Sequence, residues 1–243
     1  MQSYGIAHVW AQGDFVTRAI AITLLVMSVL SWIVIIVKGW NVIRLNRLTK
    51  NAEQAFWHSD DFDDGIKKLG LTASTPSDNP FLALALSGKE AADHHHQTQP
   101  HLHDRMDVSD WVTRCLKDTM DEGISRMQAG LAILASIGST APFVGLFGTV
   151  WGVYHALVAI GMSGSGMLDK VAGPVGEALI MTGIGLAVAL PAVMGYNWLT
   201  RSNRVLTAKL DAFAFELLTF LSMGRALQGR SLKAGGVPLA AVK

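Results

Sequence analysis

The amino-acid sequence predicts an all-α integral membrane protein with three transmembrane helices. Half of its 243 residues are hydrophobic, only 16% are charged, and the mean hydropathy is +0.33. A soluble domain of ordinary composition has about a quarter of its residues charged. The missing charges are concentrated in residues 19–37, 127–168 and 178–200, which contain no Lys, Arg, Asp or Glu. Since a helix needs about 20 apolar residues to cross a bilayer, each stretch predicts one span.

The first predicted span covers residues 15–37 and follows an N-terminal periplasmic segment, residues 1–14. That segment has no Lys or Arg, so it lacks the basic start of a cleaved signal peptide, and we expect the span to remain as an anchor. The second and third spans are predicted at residues 131–160 and 173–200. They are joined by a periplasmic loop, residues 161–172, whose glycines and serines end the second helix.

Basic residues predict the orientation of the spans. The first span is followed by four basic residues, Lys38, Arg44, Arg47 and Lys50, whereas residues 1–14 contain no Lys or Arg. A second basic group, after the third span, consists of Arg201, Arg204 and Lys209. Because Lys and Arg are retained on the cytoplasmic side of a membrane, the N-terminus is predicted to be periplasmic and the C-terminus cytoplasmic.

Two segments outside the membrane are predicted to be helical. Residues 38–130 form a cytoplasmic region with loops near residues 70–80 and 93–106, and a cytoplasmic helix, residues 201–230, precedes a flexible tail, residues 231–243. The last helix has an apolar stripe of Leu206, Leu210, Phe213, Leu217 and Phe220, spaced by four and three. We therefore expect the second and third membrane helices to extend from the membrane and pack as a cytoplasmic helical bundle.

Composition excludes some functions. The net charge of +1 argues against a nucleic-acid partner, and the single cysteine, Cys115, cannot form an internal disulfide. A histidine-rich stretch contains His94, His95, His96, His101 and His103. Clustered histidines can bind zinc, but without cysteines or helical spacing we interpret the stretch as a solvated loop. No metal and no cofactor is expected.

Small residues form one row on each of the last two spans. Steps of four and three place each row on one helix face, which lets helix backbones approach closely. The first row is Gly138, Pro142, Gly145, Thr149 and Gly152; the second is Ala178, Thr182, Gly185, Ala189 and Ala192. We expect each row to be covered by a helix of another chain, in a ring of copies with the small faces turned inward.

Polar residues beside these rows predict a proton pathway. Thr149 and Thr182 each supply one hydroxyl; either could simply bond a carbonyl one turn back, but together they indicate a shared polar path. Glu177 lies near the outer end of the third span, where an ionisable residue indicates function unless it caps the helix behind Pro174. Asn197 is a further candidate, with an ordinary interfacial role as the alternative. The small residues predicted to line the path are Gly145, Gly152, Ala178, Gly185 and Ala189.

Two segments resemble the MotA/TolQ/ExbB proton channel family. They are residues 141–152 (APFVGLFGTVWG) and 173–182 (GPVGEALIMT), followed by Pro191-Ala192-Val193 and Tyr196-Asn197. The resemblance is specific over residues 127–200 and strongest to the ExbB branch. It departs from the family at Val175-Gly176, where many relatives have Ile-Ala, which leaves the subfamily open.

The resemblance implies a non-enzymatic subunit of the bacterial inner membrane. It implies a homopentamer, surrounded by lipid, around the helices of a dimeric, single-span ExbD-like partner. Such a complex uses the proton-motive force to energise a TonB-like protein for the uptake of siderophores and vitamin B12. The family's pore residues fall on Thr149, Glu177 and Thr182. A TolQ-like subunit of the Tol-Pal system and a non-conducting membrane scaffold are the alternatives.

Overall fold

The computed structural model describes residues 14–59, 61–70, 79–97, 108–163 and 168–234. All regular secondary structure in these ranges is helical. The helices are α1 (Phe15–Trp57), α2 (Phe62–Gly70), α3 (Pro80–Gln97), α4 (Val108–Gln128), α5 (Leu131–Ser163) and α6 (Leu168–Ala234).

Three helical segments are long and apolar enough to cross a membrane. They are Phe15–Arg47, Ser109–Val158 and Ala178–Ser222. Each contains one of the charge-free stretches of the sequence, at least in large part, so the prediction of an all-α chain with three membrane-crossing helices is confirmed. The described chain divides into two compact units. Of the described residues, those within 14–41 and 128–202 form the first unit, here called the membrane unit, and those within 42–127 and 203–234 form the second, here called the helical unit.

The core of the helical unit is built around the apolar stripe of α6. Leu206, Leu210, Phe213 and Leu217 are buried, with at most 1% of each exposed. The ring of Phe213 lies 5.3 Å from that of Phe56 and 5.3 Å from that of Phe81. The predicted stripe is thus confirmed for these four residues, whereas Phe220 is half-exposed.

A buried asparagine fixes the start of α3. Asn79 is fully buried; its Oδ1 accepts from the backbone N–H of Phe81 at 3.1 Å, and its Nδ2 donates to the carbonyl of Leu69 at 3.3 Å. Pro80 follows as the first helical residue, where its missing N–H costs nothing. The loop predicted near residues 70–80 falls mostly on residues 71–78, which lie outside the described residues.

Helix α3 extends into the start of the second predicted loop, residues 93–106. Helix α3 continues to Gln97, so the backbone of His94, His95 and His96 is helical. Their side chains, and residues 98–107 with His101 and His103, lie outside the described part of the chain. Within the described part, no group of three or more His, Cys, Asp or Glu residues could hold a metal ion.

The second membrane helix was predicted to continue unbroken out of the membrane, and this prediction is wrong at its N-terminal end. A two-residue turn separates α4, which ends at Gln128, from α5, which begins at Leu131. Gly130 has a φ of +87°, a conformation that favours glycine and ends a helix. In the helical unit, Asn203 Nδ2 donates to the carbonyl of Met127 at 3.0 Å, one of the last carbonyls of α4. Helix α6, in contrast, runs unbroken through Pro191.

Candidate functional site

The small faces of α5 and α6 pack directly against each other in the membrane unit. A β-carbon at Gly145 would lie 2.7 Å from the carbonyl oxygen of Met181 and 3.1 Å from Gly185 Cα. A β-carbon at Gly185 would lie 2.7 Å from the carbonyl oxygen of Ala141. The two distances of 2.7 Å are shorter than real β-carbon contacts, so the two backbones touch at a point where only glycine fits.

This contact extends in both directions along the two helices. A β-carbon at Gly152 would meet Ala178 Cβ at 2.8 Å, and one at Gly138 would meet Val193 Cγ2 at 2.6 Å. The separation of 14 positions between these glycines corresponds to about 21 Å of helix. We call this line of contact, from Gly138 to Gly152 on α5 and from Ala178 to Val193 on α6, the seam.

The seam corrects one prediction. We expected each small face to need a helix from another chain, but within the described residues the two faces cover each other. Gly145 and Gly185 are buried, and Ala178 and Ala189 are each 5% exposed. Periodicity identifies the face of a helix that is packed, but not which helix packs on it, so the inference of a ring no longer follows from the small rows.

Thr149 and Thr182 meet across the seam. Their hydroxyl oxygens are hydrogen-bonded to each other, and Thr149 Oγ1 also lies 3.2 Å from the carbonyl oxygens of Gly145 and Ala178. Thr149 has a single hydroxyl proton for these acceptors. The hydroxyl can therefore exchange one acceptor for another without moving its helix. Both threonine residues are half-buried.

The other two candidate pathway residues are placed differently. Asn197 is exposed on α6, on the same face as Gly183, Leu190 and Met194 rather than on the seam. It lies 15 residues, or about 22 Å of helix, from Thr182, so the structure does not join it to the threonine pair. Glu177 directly precedes Ala178 in α6, but its side chain lies outside the described side chains.

Helix α1 packs against both seam helices through glycines that the small rows do not include. A β-carbon at Gly195 would meet Ile35 Cγ1 at 2.6 Å. One at Gly148 would meet Ile20 Cγ2 at 3.3 Å. Sequence analysis missed these contacts, and their only signal was the presence of glycines inside otherwise apolar helices.

The outward faces of α5 and α6 carry large apolar side chains, in contrast with the seam. Phe143 and Met194 are each 71% exposed, and Val150 and Leu179 are each 60% exposed. In a membrane these faces contact lipid or other apolar helices.

Sequence analysis also missed a polar cluster at the far end of α5. His155 Nε2 lies 3.3 Å from Asp14 Oδ2, and its ring lies 4.7 Å from that of Trp151. The signal available in the sequence was a titratable residue within an otherwise charge-free stretch.

Comparison with known proteins is informative over most of the chain. Residues 84–212 match the MotA/TolQ/ExbB proton channel family. The chain is 40% identical over 216 residues to the biopolymer transport protein ExbB of Xanthomonas campestris pv. campestris (strain B100), which covers 87% of this chain and 84% of that protein. It is 36% identical to the biopolymer transport protein ExbB of Neisseria meningitidis serogroup A, over 86% of this chain and 93% of that protein. It is 31% identical to the Tol-Pal system protein TolQ of Pseudomonas aeruginosa, over 87% of this chain and 90% of that protein.

Proposed function

Because this chain belongs to the MotA/TolQ/ExbB proton channel family, we propose that it is an ExbB-like subunit of a proton-driven motor. With a single-span ExbD-like protein it uses the proton-motive force to energise a TonB-like protein, which drives uptake of siderophores and vitamin B12 across the outer membrane. The chain is an inner-membrane protein with three apolar helices. Support for the ExbB-like role comes from the relatives at 40% and 36% identity, both named biopolymer transport protein ExbB.

The hydroxyl pair of Thr149 and Thr182 carries the proposed mechanism. A hydroxyl both donates and accepts, so two hydroxyls in contact can hand a proton from an outer donor to an acceptor beyond them. The pair stays half-exposed, which lets the carboxylate of a partner helix approach it. Protonation would neutralise that carboxylate and remove the cost of its charge in an apolar environment, so the partner helix can move.

Glu177 is the proposed donor to this pair. It precedes Ala178 in α6, and the carbonyl of Ala178 lies 3.2 Å from Thr149 Oγ1, so its backbone is adjacent to the threonine pair. We propose the proton order Glu177, then the pair, then the partner's carboxylate. Asn197 belongs to a separate, exposed surface and would serve only where a partner helix bridges it to the path.

The proposed assembly is a homopentamer that encloses the partner helices, with the N-terminus in the periplasm and the C-terminus in the cytoplasm. The rows of small residues do not support this assembly, because they are covered within one chain. The support for the assembly is membership of the family and the exposed apolar faces of α5 and α6, which carry Phe143, Val150, Leu179 and Met194. Lipids would cover the faces that remain outside the ring.

Replacement of Thr182 tests the proposal. Thr182→Val keeps the shape of the side chain but removes the hydroxyl, and we expect about tenfold slower proton-dependent siderophore uptake, equivalent to ~1.4 kcal/mol on the barrier. Thr182→Ser keeps the hydroxyl and should retain most of the activity. Co-purification of the partner should be unchanged in both variants. Full uptake in Thr182→Val would remove the pair from the pathway.

A TolQ-like role is the second candidate, favoured by the 31% identity to the Tol-Pal system protein TolQ. Affinity purification of the chain from its own membranes, with identification of the single-span protein that accompanies it, separates the two. Deletion of the gene should abolish siderophore-dependent growth on the first proposal. On the second, it should instead weaken the cell envelope and leave siderophore-dependent growth intact.

A further inference from the structure

An open groove in the helical unit is lined by aromatic rings and one carboxylate. Its walls are formed by Trp57 of α1 and by Phe215, Glu216, Thr219 and Phe220 of α6, all within the helical unit. The groove has a volume of about 380 Å³. Pockets that bind ligands span roughly 300–1,000 Å³, so this groove is large enough to hold a few side chains.

The groove collects most of the exposed apolar surface of the helical unit. Phe215 is 71% exposed and Phe220 is 50% exposed. Among the described residues of this unit, the only other large apolar side chains that are exposed are Ile43 and Val205. Because neighbouring exposed aromatic side chains mark an interaction site more often than a bare surface, we expect the groove to be occupied.

The floor of the groove is formed before anything binds to it. The ring of Phe220 is stacked on that of Phe62 at 5.9 Å and lies 6.1 Å from that of Trp57. Thr219 Oγ1 donates to the carbonyl of Phe215 at 2.9 Å, so its one proton is used within α6. The groove therefore offers a fixed apolar wall, on which an occupant loses little free energy to ordering of the protein.

A carboxylate at the edge of the groove defines the charge of the occupant. Glu216 is exposed and forms no ion pair with any residue in the described part of the chain. A lysine beside it would pair with the carboxylate and could lay its apolar stem along the aromatic rings. The groove thus fits a short apolar segment that carries a positive charge next to Glu216.

The chain itself contains a segment with this chemistry. Helix α6 ends at Ala234, and the sequence continues as GGVPLAAVK, residues 235–243, which lie outside the described residues. These nine residues contain no acidic side chain, and their one basic residue is Lys243. Two successive glycines directly after a helix allow the chain to turn back, because glycine adopts backbone conformations closed to other residues.

The length of this segment matches the distance to the groove. Thr219 lies 15 positions before Ala234, or about 22.5 Å along the helix. Ala241 lies seven positions after Ala234, or about 23 Å of extended chain. By the same arithmetic Lys243 reaches about 30 Å, close to the roughly 27 Å that separates Glu216 from Ala234.

We propose that residues 240–243 dock in this groove of their own chain. The segment runs back along α6, with Ala241 beside Thr219, Val242 against the aromatic wall and the Lys243 ammonium paired with Glu216. Because the ion pair is open to water, its loss should weaken docking only about two- to fivefold. The apolar contact of Val242 contributes more, and its loss should weaken docking about tenfold.

A disulfide between the segment and the groove tests the proposal. The full chain carries Cys115→Ala, which removes its one cysteine, together with Thr219→Cys and Ala241→Cys, and is oxidised mildly in phospholipid nanodiscs. We expect a disulfide within one chain, seen as a monomer on a non-reducing gel and as a linked peptide pair by mass spectrometry. A disulfide that joins two chains would overturn the proposal, because the occupant would then belong to a second copy. Absence of any disulfide would also overturn it.

A control cysteine on the same helix excludes chance encounters. Asp211→Cys replaces Thr219→Cys at an exposed position about 34.5 Å from Ala234, beyond the reach of Ala241 in the proposed arrangement. This pair should form little disulfide. Equal crosslinking from both positions would mean that the segment has no fixed place on α6, and the proposal would fail.

Matched substitutions in the segment show whether docking brings the cysteines together. Val242→Asp should slow disulfide formation about tenfold, whereas Val237→Asp makes the same change outside the groove and should have no effect. Lys243→Glu should slow it about two- to fivefold, and adding Glu216→Lys should restore the rate. A rate that ignores Val242→Asp, or that falls equally with Val237→Asp, would overturn the docking. No partner protein and no transport enter the measurement, so its result is independent of the proposed function.

Discussion

The hydroxyl groups of Thr149 on α5 and Thr182 on α6 are hydrogen-bonded to each other at the middle of a glycine-lined seam. The seam makes this contact possible, because Gly145 and Gly185 bring the two backbones together one turn away from the threonines. Side chains as short as threonine then reach each other across the helix interface. The polar pair and the small residues are thus one structural feature rather than two.

The threonine pair should behave as a unit when both members are replaced. Thr149→Val and Thr182→Val each remove one side of the same hydrogen bond, so the double variant should lose less than the sum of the two single losses. The difference should be about 0.5–1.5 kcal/mol when uptake rates are converted to free energies. Thr140→Val is the control, because Thr140 is exposed and bonds only Ser136 of its own helix in the described structure. Additive losses would show that the two threonines act separately.

A methyl group at Gly185 should disrupt the seam. Gly185→Ala would place a β-carbon 2.7 Å from a backbone oxygen, and a backbone atom cannot move aside as a side chain does. We expect a loss of about 1–3 kcal/mol in the free energy of unfolding, measured as a lower melting temperature in nanodiscs. A β-carbon at Gly183, two residues away, would have no neighbouring atom within 4 Å, so Gly183→Ala should be tolerated. Equal stability of the two variants would contradict the close packing of the seam.

Two neighbouring phenylalanines of α6 should differ sharply in their contribution to stability. Phe213 is fully buried against Phe56 and Phe81, whereas Phe215 is 71% exposed. Phe213→Ala should therefore cost about 3–5 kcal/mol, and Phe215→Ala should stay within about 0.5 kcal/mol of the parent. Denaturant unfolding of the full chain, followed by circular dichroism, measures both. Similar losses would mean that Phe215 is covered in the folded protein, for example by another chain.

The turn between α4 and α5 should require glycine for its backbone conformation. Gly130 has a φ of +87°, while a β-carbon there would make only an ordinary 3.4 Å contact with Val34. Gly130→Ala should therefore cost about 1–2 kcal/mol through backbone strain alone. Gly161→Ala, at a glycine with no positive φ and no atom within 4 Å, is the matched control for melting temperature. An unchanged melting temperature for Gly130→Ala would argue that the turn can be replaced by continuous helix.

Sequence patterns predicted the parts of this protein that depend on one helix at a time. The charge-free stretches predicted the membrane-crossing segments, and the four-and-three spacing predicted that Leu206, Leu210, Phe213 and Leu217 are buried. The same spacing placed Thr149 and Thr182 on small faces. In each case the information lies within a few turns of a single helix.

What the sequence did not predict depends on which helices meet. Spacing alone could not show that the Gly145 and Gly185 faces cover each other. Spacing also could not place Asn197 on the exposed face of α6, because the exposed face is known only once the helix that packs on the opposite face has been identified. The contact between Asp14 and His155 joins residues that are 141 positions apart in the sequence. Gly130 carried no local pattern that distinguished it from the glycines that α5 and α6 tolerate.

The backbone contact at Gly145 and Gly185 also limits how this protein can move while it works. Sliding α5 by one turn along α6 would bring β-carbons such as those of Ala141 and Val188 to positions where only glycine fits. We therefore expect α5 and α6 to move as one rigid body, without sliding along each other. Any movement of a neighbouring helix relative to this pair then has to take place at the outward-facing phenylalanine, leucine and methionine side chains, where the contacts are between flexible side chains rather than backbones.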